Sequence, residues 1–165
     1  MLTPDGKLQL APTDFIALSA RLDRSFKKAQ QGKNTLRLIS RRERFSHNSW
    51  THNHPSYIKG ERNTNYLYMH PWDADKRALH DGQIVQVASQ AGAVQIELSV
   101  TDDMMPGSVA LPHGWGHQRA EGLSTAATTT GVNVNILARD GVGSLEPISG
   151  MSQLNGIEVE VAAIA

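Results

Sequence analysis

Three stretches of this sequence concentrate the residue types that hold or transform small molecules. The first runs Ser40-Arg41-Arg42-Glu43-Arg44-Phe45-Ser46-His47-Asn48-Ser49-Trp50-Thr51-His52-Asn53. Its guanidinium forks match phosphate oxygens bidentately. Its Ser, His and Asn side chains can address heterocycle edges or satisfy their own loop. The second, Leu111-Pro112-His113-Gly114-Trp115-Gly116-His117, interleaves glycine with His and Trp. Such glycines let backbone amides approach a ligand, and the indole supplies a flat apolar wall. The third, Gly131-Val132-Asn133-Val134-Asn135, offers two amides on one side if the segment is extended.

Each stretch has a plainer explanation. The arginines could form a solvated basic face, the asparagines could stabilise turns, and Trp50 and Trp115 could be core. The histidines invite a metal reading: His47, His52 and His54 in one loop, His113 and His117 in another. A ligand pair four apart needs a helix to align it, and Gly114 and Gly116 argue against one. The expectation is therefore no protein-bound metal and no catalytic residue. No Gly-x-Ser-x-Gly elbow, phosphate-binding Gly-rich loop or dinucleotide fingerprint occurs, and the acids form no persuasive acid/base pair.

The elements that must position these stretches are short. Phe15, Leu18, Leu22, Phe26 and Ala29 recur at helical spacing, predicting a helix capped by Thr13 and stopped by Gly32. Strands are predicted at Leu36–Ser40, Tyr66–Met69, Ile84–Ala88, Val94–Val100, Ser108–Leu111 and Ile157–Val161, with Val132–Leu137 partly extended. A short helix from Pro71 runs through Ala78. Strands 94–100 and 157–161 alternate apolar and polar, so each buries one face. Long unpatterned stretches, Arg41–Asn65 and Pro112–Gly131, are unusual in a compact domain unless functional. Short strands with ligand-sized loops suggest a small β-barrel.

The chain has 165 residues, enough for one domain with an ordinary core. Its hydrophobic fraction of 39% and charged fraction of 19% fit a globular protein. No apolar run approaches a bilayer span and no signal pattern opens the chain, so no membrane partner and a cytoplasmic setting are expected. Cysteine is absent, which removes disulfides, thiolate ligands and cysteine nucleophiles together. Lys plus Arg and Asp plus Glu are both 16, so bulk attraction to nucleic acid is not expected. Yet Arg37, Arg41, Arg42 and Arg44 face only Glu43 in their stretch, which points to a discrete anionic ligand.

In their order, these stretches resemble the C-terminal molydopterin dinucleotide-binding domain of the dimethyl sulfoxide reductase family, which includes formate dehydrogenases and nitrate reductases. Leu36 to Arg42 looks like its opening strand and arginine turn. Asn48-Ser49-Trp50-Thr51-His52-Asn53 is similar to its Asn-Ser-Trp-Met-His-Asn segment, with Thr51 in place of Met. His70-Pro71-Trp72-Asp73-Ala74, Asp81-Gly82, Pro112 to His117, Gly131 to Asn135 and Ser149 to Gly156 follow in family order.

The resemblance implies a mainly β fold: a double-psi β-barrel, aspartate decarboxylase-like, at 35–165 behind a linker and helical flank at 1–34. It implies a molybdopterin guanine dinucleotide cofactor, its molybdenum or tungsten ligated from another domain. By that resemblance the cofactor-binding residues are Ser40, Arg41, Arg42, His47, Asn48, Ser49, His113, Gly114, Trp115, Asn133 and Asn135. Partners would be the remaining domains or catalytic subunit of a formate dehydrogenase-like oxidoreductase, and the isolated chain would be inactive. The alternative is a non-catalytic barrel adaptor that binds a protein partner.

Overall fold

The computed structural model describes residues 3–31, 34–60 and 62–164. Six strands close into a barrel: β1 (Leu36–Arg41), β2 (Leu67–Met69), β3 (Ile84–Ala88), β4 (Ala93–Val100), β5 (Ser108–Pro112) and β6 (Ile157–Ala163), in the spatial order β1-β5-β2-β4-β3-β6. The pairs β1·β5 and β2·β4 are parallel, and the other four are antiparallel. Parallel neighbours need long crossovers, which explains why the connecting stretches are long. This closed, mixed arrangement is the double-psi β-barrel that the resemblance implies.

Period-2 patterning fills the barrel. Val85 and Val87 of β3, Val94, Ile96 and Leu98 of β4, and Val159 and Val161 of β6 point inward. Leu36 and Leu38 of β1 meet Val109 and Leu111 of β5, with Leu38 opposite Val109. Fully burying one such leucine stabilises the fold by about 1.5–3 kcal/mol.

A short helix α3 (Pro71–Asp75) opens with proline at its first position and is capped by His70, whose Nδ1 accepts from the Trp72 amide at 3.0 Å. It is shorter than the predicted span to Ala78. Leu79 N–H reaches Ala74 O and Ala78 N–H reaches Asp75 O, with Ala78 at φ 52. That is a Schellman closure, with the left-handed residue supplied by alanine and the following Leu79 buried. Buried Asp73 ties the helix to the barrel: its Oδ2 accepts from Gly107 N at 2.6 Å, and Arg77 pairs with its Oδ1.

The N-terminal flank departs from expectation. It forms α1 (Thr13–Ala17) and α2 (Ser19–Gln31), broken at Leu18, with Pro12 before the first helix and no side-chain cap from Thr13. Phe15, Leu22 and Phe26 stay exposed instead of packing on the barrel. Charge explains it: α2 meets β6 through Lys28, whose Nζ lies 3.2 Å from Glu158 Oε2. The expected stop at Gly32 lies outside the described residues. Val132–Leu137 is extended at Asn133 and then turns: residues Val134–Leu137 form a 3-10 turn, because Asn133 Oδ1 accepts from Asn135 N–H and bends the chain there.

Candidate functional site

Because β1 and β5 run parallel, with Arg41 opposite Pro112, the first two chemistry-bearing stretches leave the barrel at the same end. The third is fastened to them by Asn65, which is fully buried. Its Nδ2 donates to Pro112 O at 2.8 Å and to Val132 O at 3.0 Å, and its Oδ1 accepts from Val132 N–H at 2.9 Å. One side chain therefore clamps the end of β5 to the Gly131–Asn135 segment. Sequence reasoning missed it, since an asparagine at a strand edge carries no local signal.

The three stretches share one crevice of about 470 Å³. Ser40, Arg42, Asn48, Ser49, His113, Gly114 and Asn135 line it, with Val134, Leu154, Asn155 and Ile157 as further wall. His113 joins the first two stretches along its wall. Its Nε2 lies 3.0 Å from Asn48 Oδ1, and its Nδ1 lies 3.1 Å from both Ser40 Oγ and Arg41 O. Asn48 Oδ1 and Arg41 O both accept, so the ring donates to one of them from whichever nitrogen carries the proton, and the Ser40 hydroxyl, which can donate or accept, serves Nδ1 in either tautomer. Asn155 Oδ1 accepts from Ser40 N–H at 2.8 Å and so holds the end of β1 against the C-terminal segment. Asn155 belongs to the site and was not singled out from sequence.

The remaining expected residues lie elsewhere. Adjacent residues at a strand end point to opposite sides, and Arg41 turns away from the crevice. Its guanidinium stacks 4.4 Å from the Tyr68 ring centroid, in a second recess shared with Arg42, Arg44 and Arg62. His47 is exposed beside Trp50, ring centroids 6.0 Å apart. Trp50 is itself 82% exposed, against the core reading. Asn133 caps its turn and faces Gly116.

Trp115 does not line the crevice. It is buried behind it, donating from Nε1 to Glu43 Oε2 at 3.0 Å and packing 4.3 Å from the His52 ring. A Cβ on Gly131 would lie 2.8 Å from Trp115 Cε3, so the indole is the wedge on which all three stretches rest. Burial raises the Glu43 carboxyl above its ordinary range, against the Trp115 hydrogen bond and the charge of Arg41.

His52 is fully buried, its Nε2 2.8 Å from Ser46 Oγ and its Nδ1 without a hydrogen-bond partner. Burial holds its pKa below the ordinary value. The like charges of His117 and His113 add to this, against a smaller opposing effect of the Gly114 backbone. Asn53 serves structure, accepting from the amides of Thr125 and Ala126 at 3.0 and 3.1 Å.

Among the described residues no three His, Asp or Glu side chains converge to hold a metal, and no helix is long and apolar enough to cross a membrane. What the crevice offers is a set of polar groups: a guanidinium, three amides, a hydroxyl pair and an imidazole. Such a set fits a phosphate-bearing, nitrogen-rich heterocycle, which needs donors for its oxygens and both kinds of partner for its ring edges.

Comparison with known proteins places the chain in a family and a fold. The sequence family described as "Molydopterin dinucleotide binding domain" matches residues 36–158. Dimethyl sulfoxide reductase DmsA of Escherichia coli is 46% identical over 48 residues, 29% of this chain and 6% of that protein. A tetrathionate reductase subunit of Salmonella typhimurium is 32% identical over 54 residues, 33% of this chain and 5% of that protein. This chain thus matches only a small part of either relative. The solved acetylene hydratase from Pelobacter acetylenicus superposes on 98% of this chain with a TM-score of 0.71 at 22% identity, using 24% of its own length. That likeness shows a shared fold.

Proposed function

Since this chain belongs to the molydopterin dinucleotide binding domain family, we propose that its crevice clamps the pterin dinucleotide of a larger molybdenum or tungsten oxidoreductase. One observation carries the reading. Arg42, Asn48, Ser49, His113 and Asn135, from three separate stretches, face one crevice of about 470 Å³. The cofactor, molybdopterin guanine dinucleotide, supplies the redox chemistry at its metal, ligated from another domain. This chain's residues bind and orient. Arg42 meets an oxyanion, Asn135 and Ser49 address heterocycle edges, and His113 is fixed by Ser40 and Asn48 so that its ring reaches the ligand in one orientation.

The partners in this reading are the remaining domains or catalytic subunit of the parent enzyme, in the cytoplasm. The relatives' names are those of reductases, and the narrower reading, a formate dehydrogenase-like parent, rests on the sequence resemblance alone. The test is Arg42→Ala with His113→Ala in the parent enzyme, measuring bound metal and the guanine nucleotide released on acid hydrolysis. The expected result is loss of most of both with the fold intact by circular dichroism. Unchanged loading refutes the reading, and unchanged loading with lost partner binding is the result expected of a barrel adaptor.

A further inference from the structure

Among the described residues, His52 is the one buried side chain with a polar atom left without a partner. Its tautomer follows from its neighbours. The Ser46 hydroxyl gives its single proton to Asn48 O. Toward His52 Nε2, 2.8 Å away, it can therefore only accept, so Nε2 carries the ring proton and Nδ1 is a bare lone pair. A protonated ring would carry a second N–H, and the backbone acceptor that favours that form is Gly114 O. His117 already donates to Gly114 O from its Nε2. The two rings stand edge to face with centroids 5.7 Å apart. A charged His52 therefore competes with His117 for one carbonyl. The contest bears on the crevice, because a Cβ on Gly114 would lie 2.5 Å from Asn48 O and 3.3 Å from His52 Cε1. Asn48 in turn holds His113 through its Oδ1, and Asn48, His113 and Gly114 all line the crevice. The titratable groups acting on His52 are His117 and His113 of the second stretch. Glu43 of the first lies beyond the Trp115 indole and is bonded to it, and the third stretch, Gly131 to Asn135, carries no titratable residue.

We propose that His52 is a proton-operated latch on the crevice. Uncharged, it packs beneath Gly114 and holds the first two stretches together. Charged, it takes Gly114 O from His117 and loosens the wall made by Asn48 and His113, so that a ligand is retained at neutral pH and released on acidification. Burial first, then the like charges of His117 and His113, hold the ring neutral while the loops are closed, against the smaller pull of Gly114. Proton uptake therefore requires the loops to part. A ligand that keeps them closed keeps the proton off, and by reciprocity the proton weakens the ligand. The sign follows from the lowered pKa: retention is full above the ordinary value of 6.5 and falls as pH drops below it. One proton changes affinity by at most about tenfold per pH unit. The inference deepens the cofactor reading and rests on it only for the identity of the ligand.

The first test is NMR of the full chain, following the imidazole nitrogens from about pH 8 to about pH 5, the range in which histidines change charge. His52 is expected to carry its proton on Nε2 at the alkaline end. His117, His113 and the Asn48 side-chain amide are each expected to show a step at the His52 midpoint. In His52→Gln, which can still donate to Ser46 but does not titrate, that shared step is lost. In His117→Phe, which frees Gly114 O and removes a like charge, the His52 midpoint moves up. The second readout is guanine nucleotide retained by the parent enzyme after dialysis over the same range. Retention falls by up to about tenfold per pH unit in wild type and stays level in His52→Gln. His113 and Asn48 titrating independently of His52, or the wild-type pH dependence surviving in His52→Gln, overturns the latch. Should His52→Gln fail to fold, an unmoved His52 midpoint in His117→Phe overturns it alone. The NMR step needs no ligand, so it stands where the cofactor reading fails. Cofactor loading lost in Arg42→Ala with His113→Ala stands whether or not the latch does.

Discussion

Replacing Gly114 with alanine tests how the two ligand-facing loops are held together. Gly114 has φ +95, a left-handed conformation that costs an L-residue about 1–2 kcal/mol. An added Cβ would also lie 2.5 Å from Asn48 O and 2.8 Å from Asn48 C. Asn48 cannot retreat freely, because Ser46 Oγ donates to its carbonyl and His113 holds its side chain. Overpacking of this kind costs about 1–3 kcal/mol. The two effects sum to about 2–5 kcal/mol, at about 2–4 °C of melting temperature per kcal/mol for a chain of this size.

Two controls separate the terms. Gly107 has φ +85 with nothing within 4 Å of its Cβ position, so Gly107→Ala carries strain alone. Gly131 is not left-handed, but its Cβ would strike Trp115 and Asn65 Oδ1 at 2.8–2.9 Å, so Gly131→Ala carries the clash alone. Urea unfolding followed by tryptophan fluorescence should rank Gly114→Ala as the most destabilised of the three. If it matches Gly107→Ala within about 0.5 kcal/mol, the spread of ordinary surface substitutions, the loops are not packed as described.

Asn65→Ala should cost about 2–3 kcal/mol, because it leaves buried Pro112 O and both part-buried backbone groups of Val132 without their partner. A loss under about 1 kcal/mol in chemical denaturation would mean that the clamp is dispensable. His52 titrates below its ordinary 6.5 through burial first, so its contribution is intact above pH 6.5 and stability falls as pH drops below that value. His52→Asn should flatten stability between pH 7 and 5, measured by urea midpoints, and an unchanged slope would exclude His52 as its source. Glu43 has the opposite sign. Its pKa is raised from 4.5, chiefly by burial, so stability is lost as pH climbs from 4.5 through the folded-state value. Glu43→Gln keeps an acceptor for Trp115 Nε1 and should match or exceed wild type at pH 7, with the gain vanishing below pH 4.5. A variant less stable at pH 7 would show that the carboxylate charge is needed beside Arg41.

Much of the barrel is legible residue by residue because its signal is local. Alternation in Val94-Gln95-Ile96-Glu97-Leu98 and in Ile157 to Val161 states which side of each strand is wet, with no knowledge of the neighbouring strand. The same holds for Pro71 at a helix start. The helical spacing of Phe15, Leu22 and Phe26 correctly indicates helical structure, but it misses the break at Leu18 and misleads about the buried face. Spacing records amphipathicity, whereas the docking direction is set by Lys28 meeting Glu158, 130 residues away.

Composition and local pattern alone determined the strands, the arginine-, histidine- and asparagine-bearing stretches, and the absence of cysteine chemistry. Tertiary structure decided which of those stretches touch. Parallel pairing of β1 with β5 and the buried Asn65 clamp bring Ser40, His113 and Asn135 into one crevice, and they send Arg41, His47 and Trp115 out of it. The physical reason is range. Side-chain alternation is fixed by each strand's own geometry, but strand order and register depend on contacts between residues far apart in the chain, whose energies no short window of sequence contains.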